Sequence, residues 1–416
     1  MLSLAMMAVL SASSLAQSDW PQWLGADREN RSKDTGLLQS WPEGGPKQAW
    51  RTEGIGDSFG AVSVAGGRIY LLGDLEDGSY LFALDEKDGK VQWKSKIGPA
   101  RISSKKEWQG PRTTPTIDGD RIFALGEAGD LVCVETSSGK EVWRKHLEKD
   151  LQGEHSIWFY CDSPVIDGKQ VVVKPGGKKG TLAGLDKATG EVLWRSTEFT
   201  DPAEHTSLLP ATIEGVKQYI VFTMESVAGV GTDGKVLWRV ARKGDVAICT
   251  TPLYKDGIVL VGSSYNTGRT TAIKVSGSAG VLKAETLYET DFANHHGGMV
   301  IVGDHVYGTA DRKKGQDRGN ADLKCMELKT GKIVWQNPSV GKGSISYADG
   351  HLYLHAEKPK EGMVALVEAS PEGYKEKGRF SQPDPIGKYA WAYPVVANGR
   401  LYIRDGKGLS AYALKS

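Results

Sequence analysis

Four of the eight histidines, His155, His205, His295 and His296, stand in stretches that also carry Trp108, Trp158, Trp391, Tyr160, Arg112 and Asn294. An imidazole gives or takes a proton or a hydrogen bond near neutral pH, and an indole or phenol adds flat apolar area with one polar edge. Gathered at one place, such residues suit a planar or sugar-like ligand held by stacking and a few convergent hydrogen bonds. The His295-His296 pair also raises the question of a metal. On a strand, adjacent side chains face opposite ways, so at most one of the two would face a shared site. The other ligands would have to come from His205, His155 or Asp162, and no metal site can be assembled from spacing alone. The remaining histidines, 146, 305, 351 and 355, read as surface or core residues.

These residues are spread over more than 280 positions, so a repeating scaffold must bring them together. A phrase ending in Gly-Lys-x-x-Trp or a close variant recurs: LDEKDGKVQW, VETSSGKEVW, LDKATGEVLW, GTDGKVLW and ELKTGKIVW. Each reads as a strand, a Gly turn and a second strand opening on Trp. With Trp50 in front and degenerate copies at Tyr288 and Phe380, the aromatics run Trp50, Trp93, Trp143, Trp194, Trp238, Tyr288, Trp335, Phe380, at intervals of 43 to 51 residues. That is the length of a four-stranded propeller blade. A second phrase, β-formers around a Gly turn, interleaves eight times, from VSVAGGRIYLL to PVVANGRLYI, and supplies continuously apolar inner strands. The last copy ends without an outer strand, and the first Trp strand precedes any inner one. The sequence therefore predicts an all-β, eight-bladed β-propeller over residues 47–416, its ring closed by the N-terminal strand and leaving no open edge. The segments leading into the inner strands then line one mouth, and it is there that the residues named first fall, together with Phe59, Glu204, Cys249 and Lys342.

Residues 1–17 are apolar and end in small residues, which predicts a secretory signal peptide; residues 18–46 form a leader segment. The apolar run is too short to span a bilayer, no Cys follows it to carry a lipid, and a periplasmic or secreted monomer is expected. The net charge of +1, with both signs interspersed, argues against nucleic acid as a partner. The four cysteines lie on different repeats without CxxC or CxxCH spacing, which excludes the common local zinc and c-type haem signatures and predicts free, packed thiols. The charged stretches 174–179 and 311–318 read as solvated hairpin loops.

The Gly-Lys-x-x-Trp phrase at this spacing resembles the tryptophan-docking repeat of the PQQ-repeat superfamily. That superfamily holds the quinoprotein alcohol dehydrogenases and the propeller lipoprotein BamB of outer-membrane β-barrel assembly. The leader DWPQWLGADRENRS is similar to that of an envelope branch of assembly-factor-like and polyvinyl-alcohol-dehydrogenase-like proteins. The resemblance implies that Trp50, Trp93, Trp143, Trp194, Trp238 and Trp335 dock against the neighbouring blade. For a dehydrogenase it implies PQQ with Ca²⁺, a carboxylate and amide ligand set, a catalytic Asp and often an adjacent Cys pair. No Cys pair is present, and Asp162, Glu204 and Asn294 are the scattered candidates, Asp162 being the candidate base. The expected function is therefore a non-catalytic scaffold or binding propeller of the cell envelope, with a protein partner or a small ligand. The alternatives are a PQQ-dependent alcohol dehydrogenase of the polyvinyl-alcohol type and a PQQ-independent carbohydrate-active enzyme using the His-rich mouth.

Overall fold

The computed structural model describes residues 18–100, 110–244, 246–265, 268–312, 320–357, 362–383 and 390–415. These form thirty-two strands in eight four-stranded antiparallel sheets, with no helix among the described residues. Seven blades are built from consecutive strands. The eighth is mixed: β1 (Gln48–Thr52) pairs with β32 (Leu409–Ala413), which continues through β31 (Arg400–Arg404) to β30 (Val395–Ala397). The first strand of the chain thus completes the last blade, and the ring has no free seam.

The Gly-Lys-x-x-Trp phrase does two jobs in each blade. A register shift falls just before the docking aromatic, as between Ala83 and Leu84, Cys133 and Val134, and Gly184 and Leu185. Such a bulge sharpens the twist of the outer strand and turns the ring toward the next blade. At five of the junctions it lies there on the turn glycine of that blade. Trp50 packs on Gly89, Trp93 on Gly139, Trp143 on Gly190, Trp194 on Gly234 and Tyr288 on Gly331. A side chain at Gly139 would come within 2.5 Å of the Trp93 ring, and φ there is +69°, so both space and backbone demand glycine. The indole N–H of Trp50, Trp93, Trp143 and Trp335 donates to a carbonyl of the next blade (Glu86, Thr136, Lys187 and Ser370, at 2.9–3.2 Å). Trp194 and Trp238 instead donate within their own blade, to Gln170 and Gln218.

The seventh blade departs from the sequence reading. Its bulge places Gly378, not Phe380, opposite Leu366, the station the tryptophan holds elsewhere. The aromatic arrives two residues later: Phe380 packs on Gly45, and Trp41 of the leader lies against Gly378 and 5.5 Å from the Phe380 ring.

The apolar core is a set of wedges between adjacent blades rather than one mass. The leader enters the wedges on either side of the closing blade: Trp20 and Leu24 fill the one with blade 1, and Leu37 and Trp41 the one with blade 7. No helix among the described residues is long and apolar enough to cross a membrane.

Candidate ligand funnel

The leader also closes one end of the central channel. Trp20 pairs with Val64 as an isolated bridge, and Asn30 and Arg31 reach blade 7 through Ile345 and Tyr347. Between these anchors the chain dips into the axis. The Trp23 indole donates to the Thr251 hydroxyl at 3.0 Å, and its ring sits edge-on to Tyr393 at 4.7 Å. Arg28 is 1% exposed, and its guanidinium donates to the carbonyls of Leu208, Pro164 and Ser163 at 3.1–3.2 Å. With the Ile117 amide donating to the Pro21 carbonyl, seven of the eight blades contact the leader that forms this floor. The leader thus plugs the channel, and the residues named from the sequence lie at its other end, where the inner strands begin.

Around the opening runs a collar of rings. Phe59, Trp391, His296, His295 and Tyr265 follow one another with centroids 4.6, 4.9, 4.2 and 4.6 Å apart. Arg112 lies over Phe59 at 5.1 Å and is paired with the buried Glu127. Trp158 and His205 face each other at 5.4 Å, and the Trp158 indole donates to the Val246 carbonyl. The Nδ1 atoms of His205, His295 and His296 are buried and have no hydrogen-bond partner in the protein. Burial, together with the nearby cations Arg112 and Lys174 for His205 and Lys342 for His295 and His296, holds all three well below the ordinary histidine range, so they are neutral at pH 7.

Beneath the collar, Lys174 is fully buried and bonded to the carbonyl and hydroxyl of Thr206. Asp162, 1% exposed, accepts from the Leu208 amide and feels both Lys174 and Arg28. Burial raises Asp162 above the usual carboxylate range and lowers Lys174. Glu204, also buried, is pushed up to about 7 by desolvation, against Ser156 and Lys174. Its effect on stability has a definite sign. Between the unfolded value near 4.5 and the folded value near 7, the unfolded chain releases the Glu204 proton and the folded one keeps it, so this term lowers stability as pH rises through that window. Glu204→Gln should therefore nearly match the wild type at pH 4.5 and gain on it up to pH 7, by about 3 kcal/mol, then level off. Guanidinium unfolding of both proteins at pH 5, 6, 7 and 8 measures this; a difference that does not change with pH would refute it.

The residues named from the sequence divide into those at the collar and those committed elsewhere. Arg112, Trp158, His205, His295, His296 and Trp391 are brought together around one opening. Tyr160 is not at the opening: it is 1% exposed, packed in the wedge between blades 2 and 3, and donates to the Pro175 carbonyl. Asn294 is fully buried, with its amide spent on Gly298, Thr309 and Thr250. His155 stacks on Phe159 at 4.4 Å and lies 3.1 Å from Glu148. Trp108 lies outside the described residues. His295 and His296 are on an irregular segment, not a strand, so strand alternation does not separate them and both rings join the collar. Two further corrections concern charge. Lys174 is buried under the funnel rather than solvated, and Asp311 lies 3.4 Å from Lys342 and accepts from Ser264. Only their place beside the axis, which charge pattern does not reveal, distinguishes them from ordinary loop charges. The four cysteines are free, and burial raises Cys249 at the collar to about 12, which leaves it a thiol. Among the described residues no three His, Cys, Asp or Glu side chains come together as a metal-binding group.

Eight blades with bulged outer strands, aromatics docked on turn glycines and a ring closed by the N-terminal strand define a propeller of the PQQ-repeat superfamily. Within it, the family model described as outer membrane protein assembly factor BamB matches residues 77–337, and the chain belongs to that family. It is 22% identical over 320 residues to the outer membrane protein assembly factor BamB of Yersinia pestis, covering 71% of this chain and 72% of that protein. In fold it is similar to BamB from Moraxella catarrhalis (TM-score 0.59, 13% identity, 88% of this chain and 99% of that one). It is also similar to the quinohemoprotein alcohol dehydrogenase from Comamonas testosteroni (TM-score 0.68, 11% identity, 96% of this chain and 81% of that one).

Proposed function

We propose that this protein is a non-catalytic binding propeller of the cell envelope, which holds a small ligand in its funnel and meets protein partners on its rim. The collar carries this reading: three neutral imidazoles with unpartnered Nδ1 atoms beside an aromatic wall form a surface that a polar ligand would satisfy. A buried polar atom without a partner costs about 1–3 kcal/mol, which a bound ligand would recover. Membership of the assembly-factor family and the apolar, small-residue stretch 1–17 support an envelope location. Ile157, 75% exposed next to the Trp158–Val246 contact, gives the lip an apolar point for a partner.

The residues do not fit PQQ with Ca²⁺. A calcium ion wants six to eight oxygen ligands. Of the three candidates, Asn294 has both ends of its amide engaged within the protein, Asp162 lies over the Arg28 floor, and Glu204 is held near neutrality beside Lys174. Titration with PQQ and Ca²⁺ should leave the melting temperature unchanged, and dye-linked oxidation of alcohols should be absent. A ligand of the native state must raise the melting temperature, so a rise accompanied by alcohol oxidation would replace this reading with the dehydrogenase one.

A further inference from the structure

We infer that the funnel takes the terminal ring of an uncharged glycan, entering end-on. The inference rests on the reading of the funnel as a ligand mouth and adds the chemical class and the direction of entry.

Three observations give the class. First, the cations around the opening already have counter-charges, Arg112 paired with Glu127 and Lys342 lying 3.4 Å from Asp311, while the His296 imidazole is neutral. An ionic ligand would have to break one of these pairs and leave a partly buried charge uncompensated, which is strongly unfavourable. Second, a neutral imidazole is one N–H donor and one bare-nitrogen acceptor. A hydroxyl is likewise both donor and acceptor, so the buried, unpartnered Nδ1 atoms of His205, His295 and His296 match hydroxyl groups whichever tautomer each ring adopts. Third, the run from Phe59 through Trp391 to Tyr265 is a continuous aromatic wall on one side of the opening, with Trp158 and His205 facing each other as a second ring pair at the collar. A sugar ring has this same division, with C–H faces for the wall and hydroxyls at its edge for the nitrogens.

The leader gives the direction. Trp23 and Arg28 close the axis below the collar, through Thr251 and Tyr393 on one side and the carbonyls of Ser163, Pro164 and Leu208 on the other. A polymer cannot thread through, and only a chain end reaches the imidazoles.

The test uses the full chain and a panel of linear neutral oligosaccharides (malto-, cello-, xylo- and chito-trioses). β-Cyclodextrin serves as a neutral sugar without ends, and tri-galacturonate as a charged sugar. Melting temperature and tryptophan fluorescence are followed throughout. At least one linear neutral triose should raise the melting temperature, while cyclodextrin and tri-galacturonate should not. Its Kd should weaken about ten-fold, equivalent to roughly 1.4 kcal/mol, in Trp391→Ala and in His296→Gln. Trp391→Phe, which keeps a ring, should stay within about three-fold, and its melt in the absence of sugar shows whether the collar still folds. If no neutral triose binds, the inference fails while the envelope-propeller reading stands on its own cofactor test. Binding of tri-galacturonate in preference overturns the class but keeps the funnel as a binding mouth. Equal binding of cyclodextrin overturns end-on entry.

Discussion

A chain lacking residues 18–52 should not hold a closed, cooperatively unfolding ring. The deletion removes β1, and with it the Trp50 contact on Gly89 and the pairing along β32 from Tyr412 to Leu409. It also removes Trp20, Leu24, Leu37 and Trp41 from the two wedges that flank the closing blade. Each buried large side chain contributes about 2–5 kcal/mol, so four of them together with a strand reach or exceed the 5–15 kcal/mol of net stability typical of a folded protein. The exposed edge of β32 would then invite pairing with other chains. Size-exclusion chromatography and a circular-dichroism melt measure the outcome. A soluble monomer with a single sharp transition would show that closure by the N-terminal strand is dispensable.

Arg28→Ala should cost about 3–5 kcal/mol, the largest effect expected of any single substitution in the floor. The guanidinium is fully buried and serves three backbone carbonyls on two blades, while Asp162 offsets part of its desolvation. Removing it takes the guanidinium donor from the Ser163 and Leu208 carbonyls, leaves the Pro164 carbonyl with the Thr116 hydroxyl alone, and leaves Asp162 with Lys174 as its remaining buried cation. Arg28→Lys should recover little of the loss, because a single ammonium cannot reproduce the planar fork that reaches Leu208, Pro164 and Ser163 together. Denaturant unfolding measures both variants. A loss below about 1 kcal/mol for Arg28→Ala would mean that the floor is not held by this residue.

The architecture was open to reading from sequence because a propeller repeats its instructions. The turn glycine and the docking aromatic recur together for a packing reason, the ring lying on the next blade's glycine at Trp50, Trp93, Trp143, Trp194 and Tyr288, so the phrase declares both the blade and its neighbour. Closure was legible from two incomplete copies at the chain ends. The seventh blade was harder. A two-residue shift in its bulge moves Gly378 into the tryptophan station, and the ring beside it comes from Trp41, over 300 residues away in the chain.

The site was legible only in part. Residues immediately before the inner strands fall at one mouth by topology, which is how His205, His295, His296 and Trp391 could be found. Sequence position does not say whether such a side chain turns toward the axis or into a wedge, and so Tyr160 and Asn294 were grouped with the mouth although their polar atoms are used within the protein. The floor was invisible. Trp23 and Arg28 belong to no repeat, and their role depends on where a non-repeating segment crosses the ring. Lys174 and Asp311 were hidden for a related reason, since a Lys or Asp in a hairpin loop carries no mark of the burial that a neighbouring blade imposes.

The central claim is that the funnel is a neutral binding mouth and not a redox site. The most direct test is a paired thermal titration of the full chain, with PQQ and Ca²⁺ in one series and the linear neutral trioses in the other. The account predicts a flat melting temperature in the first series and, for at least one sugar, a saturable rise in the second that Trp391→Ala moves to about ten-fold higher sugar concentration. A saturable rise with PQQ and Ca²⁺, and none with any sugar, would contradict it.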